Sequence, residues 1–149
     1  MESLSAARVK HEFAVWAYVL MPEHVHLLIL PGHPDYSISD ILADIKQPVT
    51  RRALRYCRQN APTFLRRMMD VRTDGTTVNR FWQRGGGYDR NLIKPSAVHE
   101  TVDYIHANPV RRGLVESPGA WGWSSAGYYE GRSDVTFVPD DDCMPPRDG

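Results

Sequence analysis

Two apolar segments near the N-terminus, separated by Pro22-Glu23, constrain the fold more than any other feature of the chain. The first runs from Phe13 to Met21 and the second from His24 to Leu30, where Pro31-Gly32 follows. Both are rich in valine, aromatic and aliphatic residues, and a short break between two such segments is typical of an antiparallel hairpin. The sequence therefore predicts a β-hairpin over residues 13–30.

The second predicted strand carries His24 and His26. Side chains two residues apart on a strand point to the same face, so both imidazoles can reach one metal ion. We expect the opposite face, with Val25, Leu27 and Ile29, to be the packed one. A lone strand histidine is more often an ordinary surface or core residue, but this spacing favours a metal site that needs a third donor.

Charge is distributed unevenly along the chain. The 18 cationic and 18 acidic side chains give a net charge of zero. Residues 46–94 nevertheless hold twelve lysines and arginines against three aspartates, a net charge of +9, whereas residues 134–149 hold one arginine against five aspartates. Guanidinium groups suit phosphate contacts, although a solvated helix face gives the same pattern. The basic stretch predicts a polyanionic partner.

Length and composition are those of one globular domain, with 149 residues of which 42% are hydrophobic. No apolar stretch approaches the roughly 20 residues that cross a bilayer, and no signal peptide is recognisable. We therefore expect a cytoplasmic protein that does not bind membranes. The domain is predicted to span residues 1–133, followed by a flexible acidic tail at 134–149.

The middle of the chain is predicted to contain a long helix from Ser39 or Asp40 to about residue 60, kinked or restarted at Pro48. Its exposed side carries four arginines, Arg51, Arg52, Arg55 and Arg58. A short helix is predicted over residues 63–70 and a strand starting at Phe81, before a flexible break at residues 85–87.

A final helix is predicted from Pro95 to Asn108, with Pro109 ending it. Tyr104 and Asn108 share a flank of this helix, about 100° from the centre of an apolar stripe formed by Val98, Val102 and Ile105. They are readily explained as a boundary tyrosine and a helix-ending asparagine. If the helix covers the histidine-bearing face, however, Asn108 offers an oxygen donor and Tyr104 a nucleophile beside a metal ion. We expect His99 and His106 on the helix surface.

Four segments, in this order, resemble the single-tyrosine HUH transposases of the IS200/IS605-like superfamily, and within it the REP-associated tyrosine transposases most closely. They are Met21-Pro-Glu-His-Val-His-Leu-Leu28, Phe81-Trp-Gln83, residues 103–114 and Trp121-Gly-Trp-Ser-Ser125. The resemblance extends over about residues 13–129. Each segment alone is weak evidence for the family, but the four segments in this order are specific to it.

The resemblance implies an α+β fold with a ferredoxin-like antiparallel sheet and helices on one face. It implies that His24 and His26 bind a divalent ion, Mg²⁺ or Mn²⁺, with Asn108 as a further ligand and Tyr104 as the nucleophile. Such enzymes, usually homodimers, bind single-stranded or hairpin DNA and nick it through a 5′-phosphotyrosine intermediate, which a 3′ hydroxyl later attacks to rejoin strands in transposition. We predict that six arginines bind the DNA: Arg51, Arg52, Arg55, Arg58, Arg84 and Arg90.

Members of this family carry a strand and a helix before the first segment matched here, whereas twelve residues precede Phe13. We therefore expect the first strand of the sheet to be missing, with unpaired backbone groups beside residues 13–21. An alternative is a catalytically inactive, truncated or domesticated protein that binds repeat or hairpin DNA. A hydrolase unrelated to the family is a third interpretation, and Tyr88 is a weaker candidate nucleophile.

Overall fold

The computed structural model describes residues 1–84 and 89–147, and these form two compact units. The first unit contains Met1 with residues 8–36 and 89–147, and the second contains residues 2–7 and 37–84. Tyr88 and the predicted flexible break at residues 85–87 lie outside the described residues.

The first unit is built on the predicted hairpin, which is confirmed. Strand β1 (Phe13–Leu20) pairs antiparallel with strand β2 (Val25–Pro31). Glu12, with a left-handed φ of 50°, links β1 to a preceding helix that the sequence pattern does not predict, α1 (Glu2–His11). At the far end of the hairpin, the Gly32 amide donates to the Glu12 carbonyl at 2.8 Å. A Cβ at Gly32 would lie 2.2 Å from that oxygen, so this close approach requires glycine.

Helix α4 (Pro95–Arg111) packs on the histidine-bearing face of the hairpin and confirms the predicted apolar stripe. The core of the unit consists of Trp16, Ala17, Val19, Met21, Leu28, Val98, Val102 and Ile105. Leu28 follows His26 by two residues and shares its face, whereas Val25 on the opposite face is 38% exposed. The expectation that packing would lie on the face opposite the histidines is therefore wrong at this end of β2, because α4 covers the histidine-bearing side.

Helix α4 does not end at Pro109 but continues to Arg111. Proline has no amide hydrogen for the carbonyl four residues earlier, which here belongs to Ile105. The side-chain amide of Asn108 donates to the carbonyls of Tyr104, at 2.8 Å, and Ile105, at 3.5 Å. The predicted stop is wrong because this side chain supplies a donor where the proline lacks one.

The edge of β1 that faces away from β2 is paired by the C-terminal part of the chain. The Leu20 amide donates to the Trp123 carbonyl at 2.8 Å. Further along, the Val15 amide donates to the Asp140 carboxylate and the Asp140 amide to the Val15 carbonyl, both at 2.8 Å. This edge does not have the unpaired backbone groups that we expected, because residues far along the chain supply their partners. The absence of the family's first strand itself stays a prediction.

Residues 137–143 therefore lie against β1 in this structure. Phe137 is buried, and its ring meets that of Tyr18 edge to face at 5.7 Å. The flexible acidic tail at residues 134–149 and the domain boundary at residue 133 stay predictions. A short helix, α5 (Ala126–Tyr129), and two 3₁₀ turns (Pro118–Ala120 and Asp141–Cys143) complete the described part of the unit.

The second unit contains the predicted long helix, α2 (Ile38–Asn60), followed by α3 (Pro62–Arg67). The α2 cap is Ser37, two residues before the predicted Ser39, and its hydroxyl accepts from the Asp40 amide at 3.3 Å. The helix runs through Pro48 without restarting. Strands β3 (Met69–Val71) and β4 (Thr77–Asn79) form a second antiparallel pair.

The strand predicted to start at Phe81 is not formed. β4 ends before it, and the Trp82 indole instead donates to the Lys46 carbonyl of α2 at 3.2 Å. The predicted α+β class with antiparallel sheets is confirmed: the described strands make two two-stranded sheets among helices. Within residues 1–84 and 89–147, none of the helices has the length and apolar character needed to cross a membrane.

Candidate active site

The two predicted metal ligands meet at the turn end of the hairpin. The Met21 amide donates to the His24 carbonyl at 2.8 Å, which closes the turn, and β2 begins one residue later. The rings of His24 and His26 lie on one face with their centroids 4.8 Å apart, and both residues are half-buried. The spacing of two residues along the strand produces the shared face that the sequence predicts.

Tyr104 reaches this pair from α4. Its ring meets that of His26 edge to face, with the centroids 5.6 Å apart. Tyr104 is 46% exposed, since it lies on the flank of the helix and not on the apolar stripe. An aromatic hydroxyl side chain therefore stands beside the histidine pair and remains open to a large substrate.

Asn108 lies one helical turn after Tyr104 and is buried. Its side-chain nitrogen is bound to carbonyls of the helix, and its side chain lies close enough to His26 to influence the pKa of that imidazole. With the nitrogen anchored in this way, the amide oxygen is the atom left for the imidazole or for a cation. All four residues predicted for the site are thus brought together, and their chemical roles stay predictions.

Local electrostatics favour a neutral His26. Burial lowers its pKa below the ordinary value of 6.5, and the nearby charge of His24 lowers it further. The Asn108 side chain acts in the opposite direction. The net effect favours the neutral imidazole, which is the form that binds metal ions.

The residues present fit a divalent ion with open coordination positions. Within the part of the chain that the structure describes, no group of three His, Cys, Asp or Glu side chains could hold a metal, so a further donor must be of another type. The Asn108 oxygen meets this requirement. Two imidazole nitrogens and one neutral oxygen leave room for water and a phosphate oxygen.

Three charged neighbours of the site were missed by the sequence analysis. Glu23 lies in the hairpin turn, with an oxygen 3.8 Å from Nδ1 of His24, and forms an ion pair with Arg112 at the end of α4. The Arg111 guanidinium lies over the ring of Tyr104, 5.3 Å from its centroid. The signal for Arg111 was its spacing of seven residues from Tyr104, which is two helical turns.

His106 lies on the opposite flank of α4, where the prediction of a surface histidine is wrong. The residue is buried, and its Nε2 is 2.8 Å from the Ser125 hydroxyl, which accepts from the Tyr18 amide at 2.9 Å. Burial is the main cause that lowers the pKa of His106 to about 4. Residues 121–129 cover this flank, and no local pattern in α4 indicates it. His99 is half-buried, with its Nε2 2.7 Å from the Pro145 carbonyl oxygen.

The two tryptophans after α4 have different environments. Trp121 packs against the core, and its indole donates to the Leu20 carbonyl at 2.9 Å. Trp123 is 52% exposed. Trp121 is therefore a packing residue, whereas Trp123 is an accessible aromatic side chain.

The six predicted DNA-binding arginines belong to both units and are all exposed. Arg52 forms an ion pair with Glu2 at 2.7 Å, and Arg84 forms one with Asp70 at 2.6 Å. Hydrogen bonds from Arg84, and then from Arg80, hold the pKa of the Asp70 carboxyl well below its usual range. A phosphate must therefore compete with a carboxylate for Arg84.

The site contains a histidine pair on a strand, and an asparagine and a tyrosine on one adjacent helix. This is the arrangement that the family resemblance predicts. The family described as "Transposase IS200 like" matches residues 2–108, and the chain belongs to this family.

A protein of Haemophilus influenzae named as a REP-associated tyrosine transposase is 35% identical over 117 residues, which cover 77% of this chain. The chain spans about 60% of the length of that curated relative. A solved structure of a REP-associated tyrosine transposase bound to a REP hairpin is similar in fold, with a TM-score of 0.57 at 21% identity. That match covers 99% of this chain and 78% of the other.

Proposed function

We propose that this protein nicks and rejoins single-stranded DNA in transposition, with Tyr104 forming a covalent 5′-phosphotyrosine link. The observation that carries the proposal is the contact of the Tyr104 ring with His26, at 5.6 Å, with the buried Asn108 side chain close enough to influence the pKa of the same imidazole. A nucleophile beside three metal-type donors, in a chain of the IS200-like transposase family, has the composition that this reaction requires.

In the proposed step, the hydroxyl oxygen of Tyr104 forms a bond to phosphorus while the bond from phosphorus to the 3′ oxygen breaks. The phenol proton is lost to solvent, and the departing 3′ oxygen gains a proton. His24, His26 and Asn108 would hold Mg²⁺ or Mn²⁺, which when bound offsets the negative charge of the phosphate. The backbone anchoring of Asn108 and the ring contact with His26 fix the position of Tyr104 before the substrate arrives. The reverse step rejoins the strands without an external energy source, because the phosphoester is exchanged and not hydrolysed.

Hairpin DNA is the proposed substrate. The solved structure of similar fold is bound to a REP hairpin, and the exposed arginines of α2 give this chain a surface suited to phosphates. Arg51, Arg55 and Arg58 have exposed side chains on this helix. We include in the proposal the homodimer and the cytoplasmic location that the sequence analysis predicts.

The test uses purified protein and hairpin oligonucleotides from its genomic flanks, labelled at the 5′ or the 3′ end, with Mn²⁺ or EDTA. Wild-type protein should form a denaturant-resistant adduct with the strand 3′ of the nick, only with Mn²⁺. Tyr104→Phe removes one oxygen and keeps the ring contact, so it should abolish the adduct and leave the Kd for the hairpin within about twofold. Tyr128→Phe, which removes a hydroxyl remote from the histidine pair, is the matched control and should form the adduct normally.

Two outcomes would contradict the proposal. Hairpin binding without any adduct, in folded protein with Mn²⁺, would favour the non-catalytic DNA-binding alternative. Metal-dependent hydrolysis of a small phosphoester that persists in Tyr104→Phe would favour an unrelated hydrolase.

A further inference from the structure

Two consecutive arginines at the end of α4 have different environments. Arg112 is paired with the Glu23 carboxylate of the hairpin turn. Arg111 is exposed, and its guanidinium lies over the Tyr104 ring, 5.3 Å from the centroid. With about 100° per residue, positions 104, 108 and 111 fall on one stripe of the helix, so Arg111 follows the candidate nucleophile and Asn108 on the same side.

Among the described residues, no carboxylate pairs with Arg111. The guanidinium instead contacts the face of the Tyr104 ring. A cation over an aromatic ring at an exposed position is held weakly, so an anion can draw the guanidinium away at little cost. An unpaired guanidinium next to a phenol is thus available to a phosphate that approaches the same phenol.

We propose that Arg111 is a further catalytic residue, which binds the scissile phosphate through its guanidinium while Tyr104 attacks it. This inference rests on the proposed function. The N–H groups of Arg111 would donate to the non-bridging oxygens, and the guanidinium keeps its proton throughout. The proposal requires this contact to be stronger in the transition state, where the non-bridging oxygens lie equatorial around phosphorus, than in the bound substrate.

The same contact serves the reverse reaction. The phosphotyrosine ester presents the same two non-bridging oxygens to Arg111 when a 3′ hydroxyl attacks. A contact that stabilises only the transition state changes the forward and reverse rate constants by the same factor and leaves the equilibrium between DNA and adduct unchanged. An arginine that only attracts DNA does not have this signature. An arginine that only positions the Tyr104 ring does have it, and a change in the charge of the substrate separates that role from direct contact with the phosphate.

The experiment measures single-turnover adduct formation, and rejoining of the isolated adduct, for wild type, Arg111→Gln and Arg111→Lys, with the oligonucleotide that the wild type nicks. Arg111→Gln should slow both directions by about 10²-fold, which is less than the roughly 10³ to 10⁵-fold effect of a well-placed arginine in phosphoryl transfer, because Arg111 is held only by a ring contact. Arg111→Lys should recover part of each rate, because it restores the charge without the fork geometry. Arg112→Gln removes a neighbouring charge and is the matched control, with an expected change below tenfold.

A second readout changes the substrate in place of the protein. A methylphosphonate at the scissile position replaces one non-bridging oxygen with a methyl group and removes the negative charge of the linkage, and the difference between wild type and Arg111→Gln should then shrink by at least tenfold. Since Arg111 is exposed, its variants should have the thermal stability of the wild type.

The results separate failure of the inference from failure of the proposed function. An unchanged rate for Arg111→Gln, beside a wild type that forms the adduct, overturns the role of Arg111 alone. A loss confined to DNA affinity, or an effect equal to that of Arg112→Gln, overturns it as well. Absence of any wild-type adduct overturns the proposed function and this role together.

Discussion

The buried His106 should make the stability of this protein depend on pH between about 4 and 6.5. Burial lowers the pKa of His106 from 6.5 to about 4, with the charge of Arg147 acting in the same direction and Asp103 against it. The unfolded chain therefore binds this proton more tightly than the folded chain. The neutral, buried His106 therefore favours the folded state fully above pH 6.5, and this contribution to stability is lost as the pH falls from 6.5 towards 4.

The size of the effect follows from the two pKa values. Their difference corresponds to about 3 kcal/mol when both states are protonated, and about 2 kcal/mol of this is lost between pH 7 and pH 5. The residue is 8% exposed, so solvent screening reduces the figure little. His106→Gln keeps a group that can hydrogen-bond to Ser125 but removes the titration.

The assay is urea unfolding at pH 7, 6 and 5, in EDTA so that metal binding does not contribute. The free energy of unfolding of the wild type should fall by about 2 kcal/mol more than that of His106→Gln between pH 7 and 5. His33→Gln, which removes an exposed histidine, tests whether loss of any imidazole gives the same result. A difference between wild type and His106→Gln that stays constant across this range would refute the reasoning.

Three further predictions concern packing and charge. Gly32→Ala should lower the free energy of unfolding by about 2 kcal/mol or more, measured in urea, because its Cβ would meet the Glu12 carbonyl at 2.2 Å. Ser125→Ala should cost about 2 kcal/mol with an unchanged far-UV spectrum, since a buried backbone amide loses its acceptor; equal stability would contradict the role of this hydroxyl. Arg55→Ala should reduce the slope of log Kd against log salt for hairpin DNA by about 1. Arg84→Ala should reduce that slope less, because a carboxylate already pairs with its guanidinium, and equal reductions would refute the distinction.

The parts of the fold that could be predicted are those with a local period. Two apolar, strand-forming segments separated by Pro22-Glu23 predict the hairpin, and the spacing of Val98, Val102 and Ile105 predicts which side of α4 is buried. The same periods bring the candidate site together. Because His24 and His26 are two residues apart on a strand, they point to one face. Because Tyr104 and Asn108 are four residues apart on a helix, they lie on one side of it.

The wrong predictions concern residues whose environment depends on a partner elsewhere in the chain, or on a side-chain hydrogen bond that the hydrophobic pattern does not show. Pro109 was expected to end α4, but the amide of Asn108 donates to the carbonyl that proline leaves without its usual partner. His106 was expected at the surface, but Ser125 and its neighbours cover it.

The sequence by itself determined the hairpin, the amphipathic last helix and the residues that share each face, because these follow from backbone periods of two and 3.6 residues. Only the tertiary structure decided which faces are covered. It brings α4 onto the histidine-bearing face, supplies partners from the C-terminal segment to the outer edge of β1, and buries His106. A local pattern records the direction of a side chain but not what packs against it, because packing depends on contacts between residues that are distant in the sequence.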